Sequence, residues 1–152
     1  AMFFALIGMV YGRTHTRDIH KLGGLMKVLP FIGAIYVITG MAYLGLPGFS
    51  GFVAEMNIFV GSFENPNMFN RILTILAVSS IVVTAVYILR LVGKIMMGPL
   101  VNDDFKDLPK ATWYEKTGIL LLLIPIIGMG VAPLWLSDII LESLEPFIQG
   151  VL

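Results

Sequence analysis

Four polar stretches divide an otherwise apolar chain. Residues 11–27 carry Arg13, Arg17, Lys21 and Lys27 against Asp18, and residues 64–71 contain the turn Glu64-Asn65-Pro66-Asn67. Residues 98–116 open with Gly98-Pro99 and carry Asp103, Asp104, Lys106, Asp107, Lys110, Glu115 and Lys116. The last polar stretch follows Pro133 and alternates acidic and apolar positions. Between them lie apolar runs long enough to be read as membrane helices. Residues 71–97 predict one transmembrane helix with Arg90 and Lys94 near its end, where cations suit both the helix dipole and the aqueous interface. Residues 117–133 predict another, with a kink at Pro125 because the residue before a proline is biased away from helical geometry. The run 2–11 is too short to span: its nine apolar residues cover roughly 14 Å as a helix, about half a bilayer core. It reads as the end of a truncated helix, and Ala1 ahead of Met2 reads as a residue left by an expression tag.

Residues 28–63 pose the main question. As one straight helix they would reach roughly 54 Å, against a core of about 30 Å. They contain Leu46-Pro47-Gly48-Phe49-Ser50-Gly51, a strong helix-breaking sequence. Charge decides between two spans and one broken span. With one span, the loops 12–27 and 98–116 share a side, and every Lys and Arg except Arg71 sits on or next to it. With two spans, the basic loops fall on opposite sides, against the positive-inside rule. The sequence therefore predicts a single discontinuous transmembrane helix, broken near 45–51, with Ser50 as N-cap of its second half. Both loops are then cytoplasmic. Residues 134–152, in which Ser137, Asp138, Glu142, Glu145 and Gln149 recur at helical spacing, predict an amphipathic helix on the outer surface, with Trp135 at the interface.

Composition agrees with a membrane class: 57% of the 152 residues are hydrophobic and 13% charged, against about 25% charged in a soluble domain. The expected fold is all-α, a transmembrane helix bundle with one discontinuous helix and a C-terminal amphipathic interfacial helix. The net charge is zero, which gives no footprint for nucleic acid, and no cysteine is present for disulfides or thiolate chemistry. His15 and His20 have no neighbouring ligand pattern, so no metal site is predicted and both are expected to be solvated. No phosphate-cradling glycine loop or nucleophile elbow is visible, and no catalytic residue is assigned.

One residue stands out against this background. Glu55 is the only Asp, Glu, Lys, Arg or His between Lys27 and Glu64. A carboxylate at membrane depth is costly and marks a polar path, a partner or a proton relay. It falls in the first turn and a half after the break formed by Pro47, Gly48, Ser50 and Gly51, where desolvation favours the acid and the half-helix dipole favours the anion. Ser80, Thr84, Tyr87 and Lys94 share one face of the helix 71–97. That face is either a polar seam towards the interior or, equally, hydroxyl glue between helices with an interfacial lysine.

Gly12-Arg13-Thr14-His15-Thr16-Arg17-Asp18, Leu22-Gly23-Gly24-Leu25 and the run from Leu44-Gly45-Leu46-Pro47-Gly48-Phe49-Ser50-Gly51 to Glu55 closely resemble the antiporter-like M chain of respiratory complex I, subunit 4 of NADH dehydrogenase in mitochondria. Tyr87-Ile88-Leu89-Arg90 and Gly98-Pro99 resemble the family's penultimate helix and its exit. The resemblance covers nearly the whole chain. It implies a C-terminal fragment of a fourteen-helix subunit: the end of helix eleven, the broken helix twelve, and helices thirteen and fourteen. It assigns Glu55 to the family's helix-twelve glutamate, which exchanges protons with the outer side; related L and N chains and cation antiporters carry lysine there. Many members have glutamate where this chain has Gly12, so a loop ion pair is expected to be absent, and the family's upstream lysines, glutamate and histidines lie outside this chain.

The resulting expectation is a proton-translocating membrane subunit of NADH:quinone oxidoreductase, in the inner or cytoplasmic membrane with its C-terminus outside. Its partners would be other complex I membrane subunits, the lipid bilayer, water and protons. NADH, flavin, iron–sulfur clusters and quinone are expected elsewhere in the parent complex, with no redox site in this chain. The alternatives are a homologous subunit of a ferredoxin-linked dehydrogenase, a membrane hydrogenase or a cation/proton antiporter, or a non-pumping structural membrane fragment.

Overall fold

The computed structural model describes residues 1–64 and 66–149. Seven α-helices follow one another among them, with no strand: α1 (Met2–Thr14), α2 (Leu25–Val28), α3 (Pro30–Tyr43), α4 (Ser50–Glu64), α5 (Met68–Met96), α6 (Trp113–Val131) and α7 (Leu134–Gln149). Asp103–Phe105 forms a single 3₁₀ turn between α5 and α6. α5 and α6 are long and apolar enough to cross a membrane.

Local chemistry fixes the helix starts. Pro30 opens α3, where its fixed φ suits the first turn and its missing N–H has no intrahelical partner to lose. The side chain of Asn67 accepts from Phe69 N–H at 3.1 Å and caps α5. Glu115 accepts from the backbone N–H of Thr112 at 2.7 Å, half of a capping box that starts α6. α6 stays helical on both sides of Pro125.

Some boundaries differ from the sequence reading. α1 extends to Thr14, beyond the expected end near residue 11, and stops where His15 takes a left-handed conformation with φ 51°. The stretch 12–27 is not all loop, because Leu25–Val28 forms the short helix α2. Ser50 and Gly51 are the first two residues of α4 rather than part of the interruption, so Ser50 is not the N-cap. Asn65, residues 150–152 and the side chains of Ser137, Glu145 and Gln149 lie outside the described residues.

The core sits at one end of the molecule. Met2, Leu6 and Val10 form one row on α1, Ile32, Ile35 and Tyr36 one face of α3, and Ile88, Val92 and Ile95 one face of α5. Both the spacing of four and the mixed three-and-four spacing keep residues on a common helical face. α4 contributes no buried residue. It packs instead on α5 and α6, while α3 packs on α1, α2 and α5.

α5 runs antiparallel past α3 and then α4. The N–H of Gly24, just ahead of α2, donates to the carbonyl of Met97 at 3.2 Å. Gly40 lies against Val92 and Ile88. Glu55 and Thr84 line the same cavity, and Thr74 Oγ1 donates to Ser62 Oγ at 2.8 Å. The partners thus advance along α3 and α4 as they recede along α5.

Candidate functional site

The interruption between α3 and α4 is built by Leu44 to Phe49, with Gly45 at φ 64° and Gly48 at φ 97°. These left-handed conformations cost a residue with a β-carbon roughly 1–2 kcal/mol. Gly45 is required for a second reason. A β-carbon on it would stand 2.5 Å from Oε2 of Glu55, so the carboxyl group packs directly on the bare α-carbon. On the other side of the break, a β-carbon on Gly130 of α6 would overlap the carbonyl of Gly48 and the α-carbon of Phe49. Two glycines thus let the carboxyl and a neighbouring helix close on the interruption.

Glu55 is half-buried and lines two cavities. One, of about 260 Å³, is also walled by Tyr43, Phe59, Ala77, Ser80 and Thr84. The other, of about 550 Å³, includes Thr39, Ser50, Gly51, Thr84 and Tyr87. Among the described residues the Glu55 side chain makes no hydrogen bond or ion pair. The nearby hydroxyls are oriented by backbone: Ser80 Oγ donates to the carbonyl of Ala77 at 2.7 Å, and Thr39 Oγ1 to that of Ile35 at 2.7 Å. Their protons are engaged, which leaves oxygen lone pairs to receive a hydrogen bond from water or from a protonated carboxyl.

The predicted seam on α5 divides here. Ser80, Thr84 and Tyr87 line the Glu55 cavities, but Lys94 does not. Its Nζ lies 3.0 Å from Nδ1 of His20. An ammonium has no lone pair, so Lys94 donates and Nδ1 accepts. His20 is exposed, in keeping with its sequence context, and also accepts this bond from Lys94. A contact 74 positions apart leaves no local trace.

A second polar cluster was missed altogether. Arg13 forms a bidentate pair with Glu115, Nη2 to Oε2 at 2.6 Å and Nη1 to Oε1 at 3.1 Å. Its Nε donates to the carbonyl of Pro109 at 2.8 Å and Nη1 to that of Met9 at 3.0 Å. The guanidinium ties the end of α1 to the loop before α6. An ion pair is thus present beside Gly12, supplied from α6 rather than from the adjacent position. Glu115 lies in the first turn of α6, ahead of the apolar segment. Its hydrogen bond to Arg13 first, then those to Thr112, hold its carboxyl down at about 2 against the opposing effect of burial. The signal in the sequence was Thr112-Trp113-Tyr114-Glu115, a capping-box spacing before an apolar run.

Residues 1–84 match the family described as NADH:quinone oxidoreductase/Mrp antiporter, transmembrane. The chain belongs to this family. NADH-quinone oxidoreductase subunit M of Rhodobacter capsulatus is 33% identical over 147 residues, covering 97% of this chain and 28% of that protein. The chloroplastic NAD(P)H-quinone oxidoreductase chain 4 of Mesostigma viride is 36% identical over 161 residues, covering 95% of this chain and 31% of the relative. Among solved structures, a chain of respiratory complex I from Thermus thermophilus with bound NADH matches with a TM-score of 0.73 and 29% identity, over 84% of this chain and 26% of that one. The chain spans under a third of these relatives' length. The antiporter match contains α1 to α4, the break, Glu55 and the first part of α5, and ends at Thr84. Tyr87, Lys94 and α6 lie beyond it.

Proposed function

We propose that this chain is the C-terminal membrane part of a proton-translocating subunit of NADH:quinone oxidoreductase, and that Glu55 exchanges the translocated proton. The observation that carries the proposal is the seat of this carboxyl group: half-buried at a helix interruption, packed on Gly45, and open to two cavities whose other polar side chains bear hydroxyls. α3 and α4 act as one discontinuous membrane span. The end-to-end order of their contacts with α5 supports this, as does the number of helical residues, which α3 and α4 together share with α5 alone. A break of this kind is tolerated in lipid where protein or a water-lined cavity satisfies the freed backbone groups.

In this reading water in the cavities, ordered by the oxygens of Ser80, Thr84 and Thr39, delivers a proton to the Glu55 carboxylate. The neutral acid then gives that proton to water on the outer side and returns to the anion. One proton enters and one leaves, with no other change in the chain. The basic loops 12–27 and 98–116 face the cytoplasm, the membrane is the inner or cytoplasmic one, and α7 lies on the outer surface with Trp135 at the interface. Redox cofactors and quinone belong to partner subunits. The relatives' names favour a quinone oxidoreductase over an Mrp-type antiporter, which the family also includes.

The test is Glu55→Gln in the complete subunit, with assembly verified and protons pumped per NADH oxidised measured in vesicles. Loss of pumping with the complex intact is expected. Wild-type stoichiometry would refute the role of Glu55.

A further inference from the structure

Towards the C-terminal end of α5, a cavity of about 460 Å³ opens between α5 and the loop after α1, separated from the Glu55 cavities by Tyr87, which lines both. Its charged walls are Arg17, Arg90, Lys94 and Asp18, with His20 beside them. The single acid is already occupied in part: Asp18 Oδ1 accepts from the backbone N–H of His20 at 2.9 Å. None of the three cations forms a salt bridge among the described residues. Lys94 donates to the His20 ring nitrogen, Arg17 stacks over the Tyr11 ring at 4.6 Å, and the Arg90 guanidinium has no hydrogen-bond partner among the described residues. The cavity therefore carries more positive than negative charge, on groups whose remaining donors are unspent.

A second cavity of about 220 Å³ adjoins it, sharing Arg17, Ile19 and Leu91. Its further walls include Ile7, Val10, Leu22 and Ile95. A basic chamber beside an apolar slot, at the charged end of a membrane-length helix, matches a molecule with an anionic head and a hydrocarbon tail. Basic pockets between membrane helices at the cytoplasmic surface suit anionic headgroups.

We propose that this pair of cavities is a binding site for an anionic phospholipid, with the phosphate ester held by Arg17, Arg90 and Lys94 and an acyl chain seated along Ile7, Leu91 and Ile95. The recognised chemistry is a phosphate anion. The apolar slot makes its carrier a lipid rather than free phosphate. Neither the mechanism at Glu55 nor the identity of the parent complex enters the proposal.

The experiment uses the protein purified in its native membrane assembly, stripped of loosely held lipid and placed in nanodiscs of phosphatidylcholine with or without phosphatidylglycerol. Retained lipid is counted by native mass spectrometry, and a photoreactive phosphatidylglycerol maps the contact. Wild type is expected to retain phosphatidylglycerol over phosphatidylcholine and to crosslink near Ile19 and Leu91. Each cation near an anionic headgroup is worth about fivefold in affinity, so the double variant Arg90→Ala with Lys94→Ala should bind roughly 25-fold more weakly. Arg90→Lys should restore most of the loss attributable to that position, and Lys21→Ala, outside the cavity, should change nothing. If the double variant fails to assemble, a salt titration of wild type replaces it, and selective release of phosphatidylglycerol is expected. Equal retention of the two lipids overturns the proposal. So does displacement of the lipid by equimolar inorganic phosphate, or a crosslink elsewhere on the protein.

Discussion

Gly45→Ala tests the seating of the carboxyl group without touching the group itself. Two costs are set by the structure. The residue has φ 64°, where a β-carbon is unfavourable by about 1–2 kcal/mol. The new carbon would also stand 2.5 Å from Oε2 and 3.1 Å from Cδ of Glu55, so the carboxyl must move by several tenths of an ångström or more. Misplacement on the scale of 1 Å costs on the order of 100-fold in a positioned reaction step. We therefore expect Gly45→Ala to assemble with modestly reduced thermal stability and to lose most of its proton pumping although Glu55 is intact. Gly61→Ala is the matched control: its β-carbon would meet no atom within 4 Å, and an interior helical alanine should be neutral or stabilising by up to about 1 kcal/mol. Pumping is read from the acidification of inverted vesicles per NADH oxidised, and stability from the thermal unfolding of the assembled protein. Wild-type pumping by Gly45→Ala would show that contact with this backbone does not position the carboxyl.

Other expectations follow from the same geometry. Arg13→Ala should lower stability by about 2–3 kcal/mol, since it removes a charged hydrogen-bond pair and frees the Pro109 and Met9 carbonyls. The Glu115 carboxyl titrates at about 2 when folded and at the usual 4.5 when free, so its stabilisation is complete above 4.5 and lost as pH falls towards 2. Thermal unfolding between pH 3 and pH 6 should therefore show a steeper acid loss in wild type than in Arg13→Ala. Gly130→Ala should push α6 off the interruption and cost roughly 1–3 kcal/mol, read as lower assembly and thermal stability. Thr74→Val removes the bond to Ser62 and should cost about 1 kcal/mol, with pumping retained.

The features legible in the sequence share a local cause. Pro47 and Gly48 announce a helix interruption because their backbone chemistry acts on their own residues. Glu55 announces itself by isolation, since a charge is conspicuous in an apolar run. Loop charges fixed the preference for one span over two, because positive-inside bias acts on the whole chain. Gly45 fell at the edge of the expected break, 45–51, but nothing in the sequence marked it as the floor beneath a carboxyl, since that contact joins α4 to the end of α3 across the turn. Lys94 was grouped with Ser80, Thr84 and Tyr87 by helical phase. Its partner, however, comes from the loop after α1, and helical phase says nothing about what faces a residue. Arg13 and Glu115 are separated by most of the chain, so their pairing depends on how α1 and α6 pack. The capping box revealed where Glu115 sits but not what it binds.

The central claim is that the Glu55 carboxyl gains and loses a proton during turnover. Infrared difference spectroscopy of the working complex reads this directly through the carbonyl stretch of a protonated carboxylic acid. We expect a turnover-dependent carboxyl band in wild type that disappears in Glu55→Gln while the rest of the difference spectrum remains. Superimposable carboxyl regions in wild type and Glu55→Gln would contradict the account.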